Sequence, residues 1–137
     1  MKRLLIIALC VAGLVAWGRT PLGAQPSSKA QEATKRAAQD YLKHGLILAT
    51  EGRPEAAVKS FEKSISLDPT SAEAYSLLGS ALAKAGKYRE AEENLRKAVK
   101  LDPNYGEGYY YLGIFLQEQG KQQEAEEAFQ KARQRSR

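Results

Sequence analysis

Residues 72–105 read AEAYSLLGSALAKAGKYREAEENLRKAVKLDPNY, and this stretch decides the fold. Tyr75, Leu78 and Leu82 fall at i, i+3 and i+7, one face of a helix. Ala91, Leu95 and Ala98 repeat a helical spacing further on. Gly86 stands between the two patterns, where a residue free to take positive φ closes a helix C-terminus. Asp102-Pro103 ends the second pattern, because proline cannot continue a helix and constrains the residue before it. The stretch therefore predicts one helix–turn–helix unit. Gly79 and Ala91 are both small, which lets the two helix axes approach closely.

Stepping 34 residues in either direction finds the same unit again. Tyr41, Tyr75 and Tyr109 keep this step, as do Gly45, Gly79 and Gly113. Gly52, Gly86 and Gly120 follow it, then Ala57, Ala91 and Ala125, then Phe61, Leu95 and Phe129. A fixed period of this size means stacked supersecondary units, each covering its neighbour's apolar face. The predicted boundaries are residues 38–71, 72–105 and 106–137. Residues 25–37 form a linker and a possible helical extension. Ser28-Lys29-Ala30-Gln31 reads as its capping box, and a helix is expected from there to Thr50. Pro54 suits the start of a helix, where its missing N–H is not needed. Thr70-Ser71-Ala72-Glu73 and Asn104-Tyr105-Gly106-Glu107 are read as caps of the next first helices.

These positions resemble the tetratricopeptide repeat. The family's aromatic position is Tyr41, Tyr75 and Tyr109, and its Leu-Gly pair is Leu78-Gly79 and Leu112-Gly113, with His44-Gly45 in the first unit. Its second-helix alanine is Ala57, Ala91 and Ala125, and its later small position is Ser64, Ala98 and Ala132. The closing proline is Pro69 and Pro103. The resemblance covers residues 38 to 137. It implies an all-α solenoid of three repeats in a right-handed superhelix, with the first helices lining a concave groove. It further implies a non-catalytic module that binds a peptide segment of another protein, as an adaptor, scaffold or assembly factor. A self-associating or membrane-tethered structural arm is the alternative.

The matching groove positions are Gln39, Leu42, Lys43, Leu46 and Ala49 in the first unit, and Glu73, Ser76, Leu77, Ser80 and Lys84 in the second. The third offers Glu107, Tyr110, Tyr111, Ile114, Gln117 and Glu118. Tyr110 and Ile114 lie one turn apart and exceed what the repeat needs for its own packing, so they are the leading anchors; aromatic residues favour such a role. No asparagine stands among these positions, which argues against the lysine–asparagine carboxylate clamp of one subclass. Ile65 and Leu67, like Val99 and Leu101, are expected to cover the next unit. Arg133 and Arg135 replace them in the third unit and predict a solubilised end to a complete array.

Composition leaves little room for other chemistry. The chain is 43% hydrophobic and 27% charged, as an ordinary soluble domain is. Of the net charge of +5, three positive charges are Lys2, Arg3 and Arg19, in a segment without acids. The other charges are mixed, and only Lys131 to Arg137 is a basic run, so no nucleic-acid partner is expected. His44 is the sole histidine and replaces a core leucine of the repeat; its expected place is a partly buried helix position. No HxxxH or CxxC spacing occurs, so neither a metal site nor a catalytic pair is expected, and each repeated glycine has a packing or capping role that leaves no phosphate loop. No cofactor is implied.

Residues 1–24 have the order of a secretory signal peptide: Lys2-Arg3, the uncharged run Leu4 to Trp17, then Leu22-Gly23-Ala24. Fourteen helical residues reach about 21 Å, short of the ~30 Å hydrocarbon core. Cleavage after Ala24 is expected, with cleavage after Gly18 or an uncleaved anchor as alternatives. The implied setting is exported, periplasmic or secreted, or tethered through Leu4–Trp17. Cys10 lies inside the apolar run after Leu9, a poor lipidation context, and cleavage would leave a chain without cysteine.

Overall fold

The computed structural model describes residues 26–136. The expected leader, its cleavage site and the tether segment Leu4–Trp17 lie outside the described residues.

Six helices follow one another: α1 (Ser28–Thr50), α2 (Pro54–Leu67), α3 (Ala72–Lys84), α4 (Tyr88–Leu101), α5 (Gly106–Glu118) and α6 (Gln122–Arg135). There is no strand among the described residues. The all-α repeat solenoid expected from the 34-residue period is the fold observed. The expected start of the first unit, Ala38, falls inside α1, which runs ten residues further back as an exposed polar extension.

The first helices all stop in the same way. Gly52, Gly86 and Gly120 have φ of +72°, +80° and +77°. In the first turn, Arg53 N–H donates to Leu48 O at 3.0 Å and Gly52 N–H to Ala49 O at 3.2 Å. Lys87 with Leu82 and Lys121 with Leu116 repeat the closure. Two carbonyls left free by each helix end are thereby satisfied, which is the Schellman arrangement. Pro54 is the first residue of α2, as expected. The second helices α2 and α4 end at Leu67 and Leu101, and Asp68 and Asp102 are extended before their prolines.

Helix starts depart from the sequence reading in two places. Ser27, one residue before the expected capping box, caps α1: its Oγ accepts from Ala30 N–H at 3.3 Å. Within the expected stretch Thr70–Glu73 it is Ser71 that caps α3, through Ala74 N–H at 3.1 Å. Asn104 does not cap α5. Tyr105 occupies that position with no side-chain bond to the helix backbone, and its hydroxyl donates to Glu107 Oε2 at 3.1 Å instead.

Within each unit the second helix drives one large side chain onto the glycine of the first. A Cβ on Gly79 would lie 2.6 Å from Leu95 Cγ and 3.0 Å from Ala91 O. Phe61 stands over Gly45 and Phe129 over Gly113 in the same way. Each pair is close enough that a methyl group would force the helices apart.

Between units, each second helix packs on the next first helix, and successive first helices also touch. The backbones of successive second helices do not approach one another, and α4 and α6 meet only through surface side chains. The stack is therefore tighter on the α1–α3–α5 side, which makes that side the inner face. Leu42, Leu48, Val58, Phe61, Leu78, Leu82, Leu95, Leu112 and Leu116 form one continuous core through all three units. Ile65 and Val99 pack against this core, as expected of residues that cover the next unit, but Leu101 is exposed. Arg135 also departs from its expected solubilising role. It folds back over the Tyr109 ring at 4.7 Å and donates to the carbonyl of Pro103. The planar guanidinium covers the ring while its N–H groups satisfy a linker carbonyl.

Candidate functional site

Two hollows lie in a row on the inner face. The first, of about 190 Å3, sits between α1 and α3 and is bordered by Leu46, Ala49, Leu77, Ser80, Lys84 and Tyr111. The second, also about 190 Å3, sits between α3 and α5, where Ile114, Phe115 and Glu118 join Ser80, Lys84 and Tyr111. Ser80, Lys84 and Tyr111 border both, so the hollows are two halves of one groove.

The expected site residues divide into three groups. Leu46, Ser80 and Ile114 hold one repeat position and all reach the groove. Gln39, Lys43, Glu73 and Gln117 are exposed on the first helices but border neither hollow. Leu42 and Ser76 are buried, at 8% and 0% exposure, and present no surface to a ligand. Their position faces the following unit: a Cβ on Gly108 of α5 would lie 3.2 Å from Ser76 Oγ.

Tyr110 holds that same junction position in the third unit, where nothing described covers it. It is 52% exposed and lies 5.9 Å, ring to ring, from Phe129 of α6. It borders a different hollow at the end of the stack and touches the groove only through Tyr111, 6.2 Å away. The tyrosine in the groove is therefore Tyr111, beside Phe61 and Phe115. The signal was available in the register: Tyr111 shares its position with Lys43 and Leu77, whereas Tyr110 shares its own with Leu42 and Ser76.

Charge in the groove is uneven. Burial raises the Tyr111 phenol above its ordinary range, and the nearby carboxylates of Glu107 and Glu73 raise it further. Burial does the same to Tyr105, again helped by Glu107, with which it is hydrogen bonded. Both phenols stay neutral and can donate hydrogen bonds across the neutral range. At the other end Lys84 and Glu118 are exposed and join no ion pair among the described residues. The groove is apolar along its floor with donors and charges at its rim.

His44 is exposed, contrary to the partly buried place expected of it. No described unit precedes α1 to cover it, whereas Leu78 and Leu112 at the same position are buried. Its Nδ1 lies 3.0 Å from Ser60 Oγ, a bond that ties α1 to α2. The pair borders none of these hollows, and no carboxylate bonds the second ring nitrogen among the described residues. Among the described residues no three His, Cys, Asp or Glu side chains gather into a metal site, and no helix is long and apolar enough to cross a membrane.

Comparison with known proteins agrees with this architecture. A family model described as tetratricopeptide repeat matches residues 76–137, and another described as TPR repeat matches residues 45–86. Together they span more than half of the chain. Among solved structures, MamA is 32% identical with a TM-score of 0.64, covering 78% of this chain and 65% of that one. This chain thus spans just under two thirds of the length of that relative. The second TPR of Spaghetti (RPAP3), bound to the HSP90 peptide SRMEEVD, is 28% identical with a TM-score of 0.68, covering 76% of this chain and 95% of that one. The Arabidopsis OM64 TPR domain shares the fold at 20% identity and a TM-score of 0.67, over 72% of this chain and 82% of that one. No curated protein matches significantly.

Proposed function

The chain belongs to the tetratricopeptide-repeat family, and from that premise we propose that it is a non-catalytic adaptor which holds a peptide segment of another protein along the α1–α3–α5 face. Members of this family are typically protein–protein interaction modules. The observation that carries the proposal is the pair of adjoining hollows that share Ser80, Lys84 and Tyr111. Two apolar side chains of an extended segment can seat in them, one per hollow. The Tyr111 hydroxyl and the rim charges can then meet the segment's polar groups. The groove is built on helices held by one core, so little ordering is required when the segment binds. The peptide on the Spaghetti domain supports a peptide as the kind of partner.

A photoreactive amino acid placed at Ser80 tests the reading in cells that express the protein. A discrete cross-linked partner is expected from Ser80, and none from Glu93 on the outer side of α4. Tyr111→Ala should weaken capture by tenfold or more, the size of an interface hot spot. Equal labelling from Ser80 and Glu93, or capture unchanged in Tyr111→Ala, would contradict the proposal.

The proposed setting is outside the cytoplasm. The charged start, the apolar run Leu4–Trp17 and the small residues before Gln25 support export. Intact mass after membrane and soluble fractionation decides it. A soluble chain beginning at Gln25 or Arg19 supports a free exported adaptor. A full-length chain in the membrane fraction supports the tethered alternative, and a full-length soluble chain contradicts both.

A further inference from the structure

The two ends of the array carry halves of a junction that the interior uses twice. On α3, Ala74, Leu78 and Ala81 form the stripe that meets the preceding unit, and all three are buried. On α5 the same stripe is Gly108, Leu112 and Phe115, also buried. On α1 it is Asp40, His44 and Ile47, all exposed, with Ile47 at 55%. At the opposite end, Tyr110 and Phe129 border a hollow of about 500 Å3, together with Gly106, Glu107, Ala132 and Arg133. Inside the array the matching surface is closed: Leu42 and Ser76 are buried, as are Phe61 and Leu95.

We propose that a second copy of this chain docks there, laying the Asp40–His44–Ile47 stripe of its α1 into the Tyr110–Phe129 hollow. The argument is continuity with the interior junctions. Residue 108 faces residue 76 across the second junction, so the register places Asp40 of one copy against Tyr110 of the other. The two ends also carry one pair of opposite charges, with Glu107 beside Arg133 at the rim of the hollow. Where the interior has Ile65 and Val99, the open end has Arg133; where the interior has Ala74 and Gly108, the other end has Asp40. Arg133 now pairs with Glu126 at 2.9 Å on the exposed surface, and a pair of that kind is exchanged at little cost.

The end junction is not a replica of the interior one. Tyr110 and Asp40 are bulkier than Ser76 and Gly108, so the docked helix stands further out and holds less tightly. The contact is heterologous, since each copy offers a different surface, and it propagates from chain to chain. It leaves the groove open, so the adaptor reading does not depend on it.

Sedimentation equilibrium of the full chain tests the proposal through two blocked variants. For the unaltered chain, the mass should rise above 15.1 kDa with concentration and show no plateau. Ile47→Glu and Tyr110→Glu, both at exposed positions, should each stay at the single-chain mass with unchanged thermal melts. An equimolar mixture should reach twice that mass and stop, because one open stripe and one open hollow remain. A single-chain mass for the unaltered protein at every concentration would overturn the proposal. So would association of either variant alone, since a different surface, residues 4–17 included, would then hold the copies. A mixture that stays at the single-chain mass would overturn it as well.

Discussion

The two junctions of the array have the same helices in the same register but are held by different physics. At the first, Val58 of α2 is buried against the core, and no ion pair links the units among the described residues. At the second, Glu92 occupies the equivalent position on α4. Its carboxylate meets Arg96 at 2.7 Å and Lys121 at 3.1 Å, and Arg96 reaches Glu124 of α6 at 2.8 Å. Both junctions bury apolar side chains in the shared core; a surface charge lattice, over a close Ser76–Gly108 approach, is added only between units two and three. Buried methyl groups are indifferent to salt and pH, whereas exposed ion pairs are sensitive to both. The third unit should therefore be the one that responds to its surroundings.

Removing that unit breaks the comparison most severely. A chain ending at Tyr105 uncovers Ser76 and the rest of the second junction. Its melting temperature should fall on the order of 10 °C or more, with a broader transition, as calorimetry would show. An unchanged melt would mean that the units are independent.

Val58→Ala tests the first junction alone. The cost should be about 2 kcal/mol in urea unfolding, from lost burial and the space left behind. Salt should not change that value.

Ser76→Ala goes the other way. The Ser76 hydroxyl is buried without a hydrogen-bond partner among the described residues. Removing it should stabilise the chain by roughly 1 kcal/mol, since an unsatisfied buried group carries its full desolvation cost. Loss of stability in that variant would reveal a partner for the hydroxyl.

Glu92→Gln has the smallest effect, about 0.5 kcal/mol, and should lose it altogether in high salt. Burial would raise the Glu92 carboxyl, but the bonds from Arg96 and Lys121 outweigh it and hold the group below its usual range. Its ionised form thus favours the fold. That contribution is complete above about pH 5 and fades as the pH falls further. At the alkaline limit the raised phenols of Tyr105 and Tyr111 favour the fold in their neutral forms, and their contribution fades above about pH 10. Both limits act on the second junction, so acid and alkaline melts of Glu92→Gln and Val58→Ala separate the two.

The sequence made the fold legible because its punctuation is backbone chemistry. Gly86 must take positive φ and Pro103 must stop a helix, whatever surrounds them. The start of α1 was less legible, since Ser27 and Ser28 are adjacent and either hydroxyl can cap. The groove was half legible. A repeat of 34 residues says which residues are equivalent, but not toward which neighbour each points. That ambiguity put Leu42, Ser76 and Tyr110 among the groove residues. In the stack this position meets the next first helix, as Ser76 meets Gly108, and Tyr111 borders the groove instead. The folding back of Arg135 onto Tyr109 was not legible, because a long flexible side chain takes its place only once the ring is there.

The turns after α1, α3 and α5 have a consequence for how the molecule can be altered. A Cβ added at Gly52, Gly86 or Gly120 would meet nothing within 4 Å. Among the described residues these glycines face open space, and each turn is closed by its own backbone hydrogen bonds, with only Lys121 also reaching back to Glu92. A loop spliced in after Lys87 should lengthen one tip and leave the 34-residue stacking on either side undisturbed. The array can thus acquire new surface at its edge without renegotiating its core, and a reporter domain inserted there would ride on a working groove.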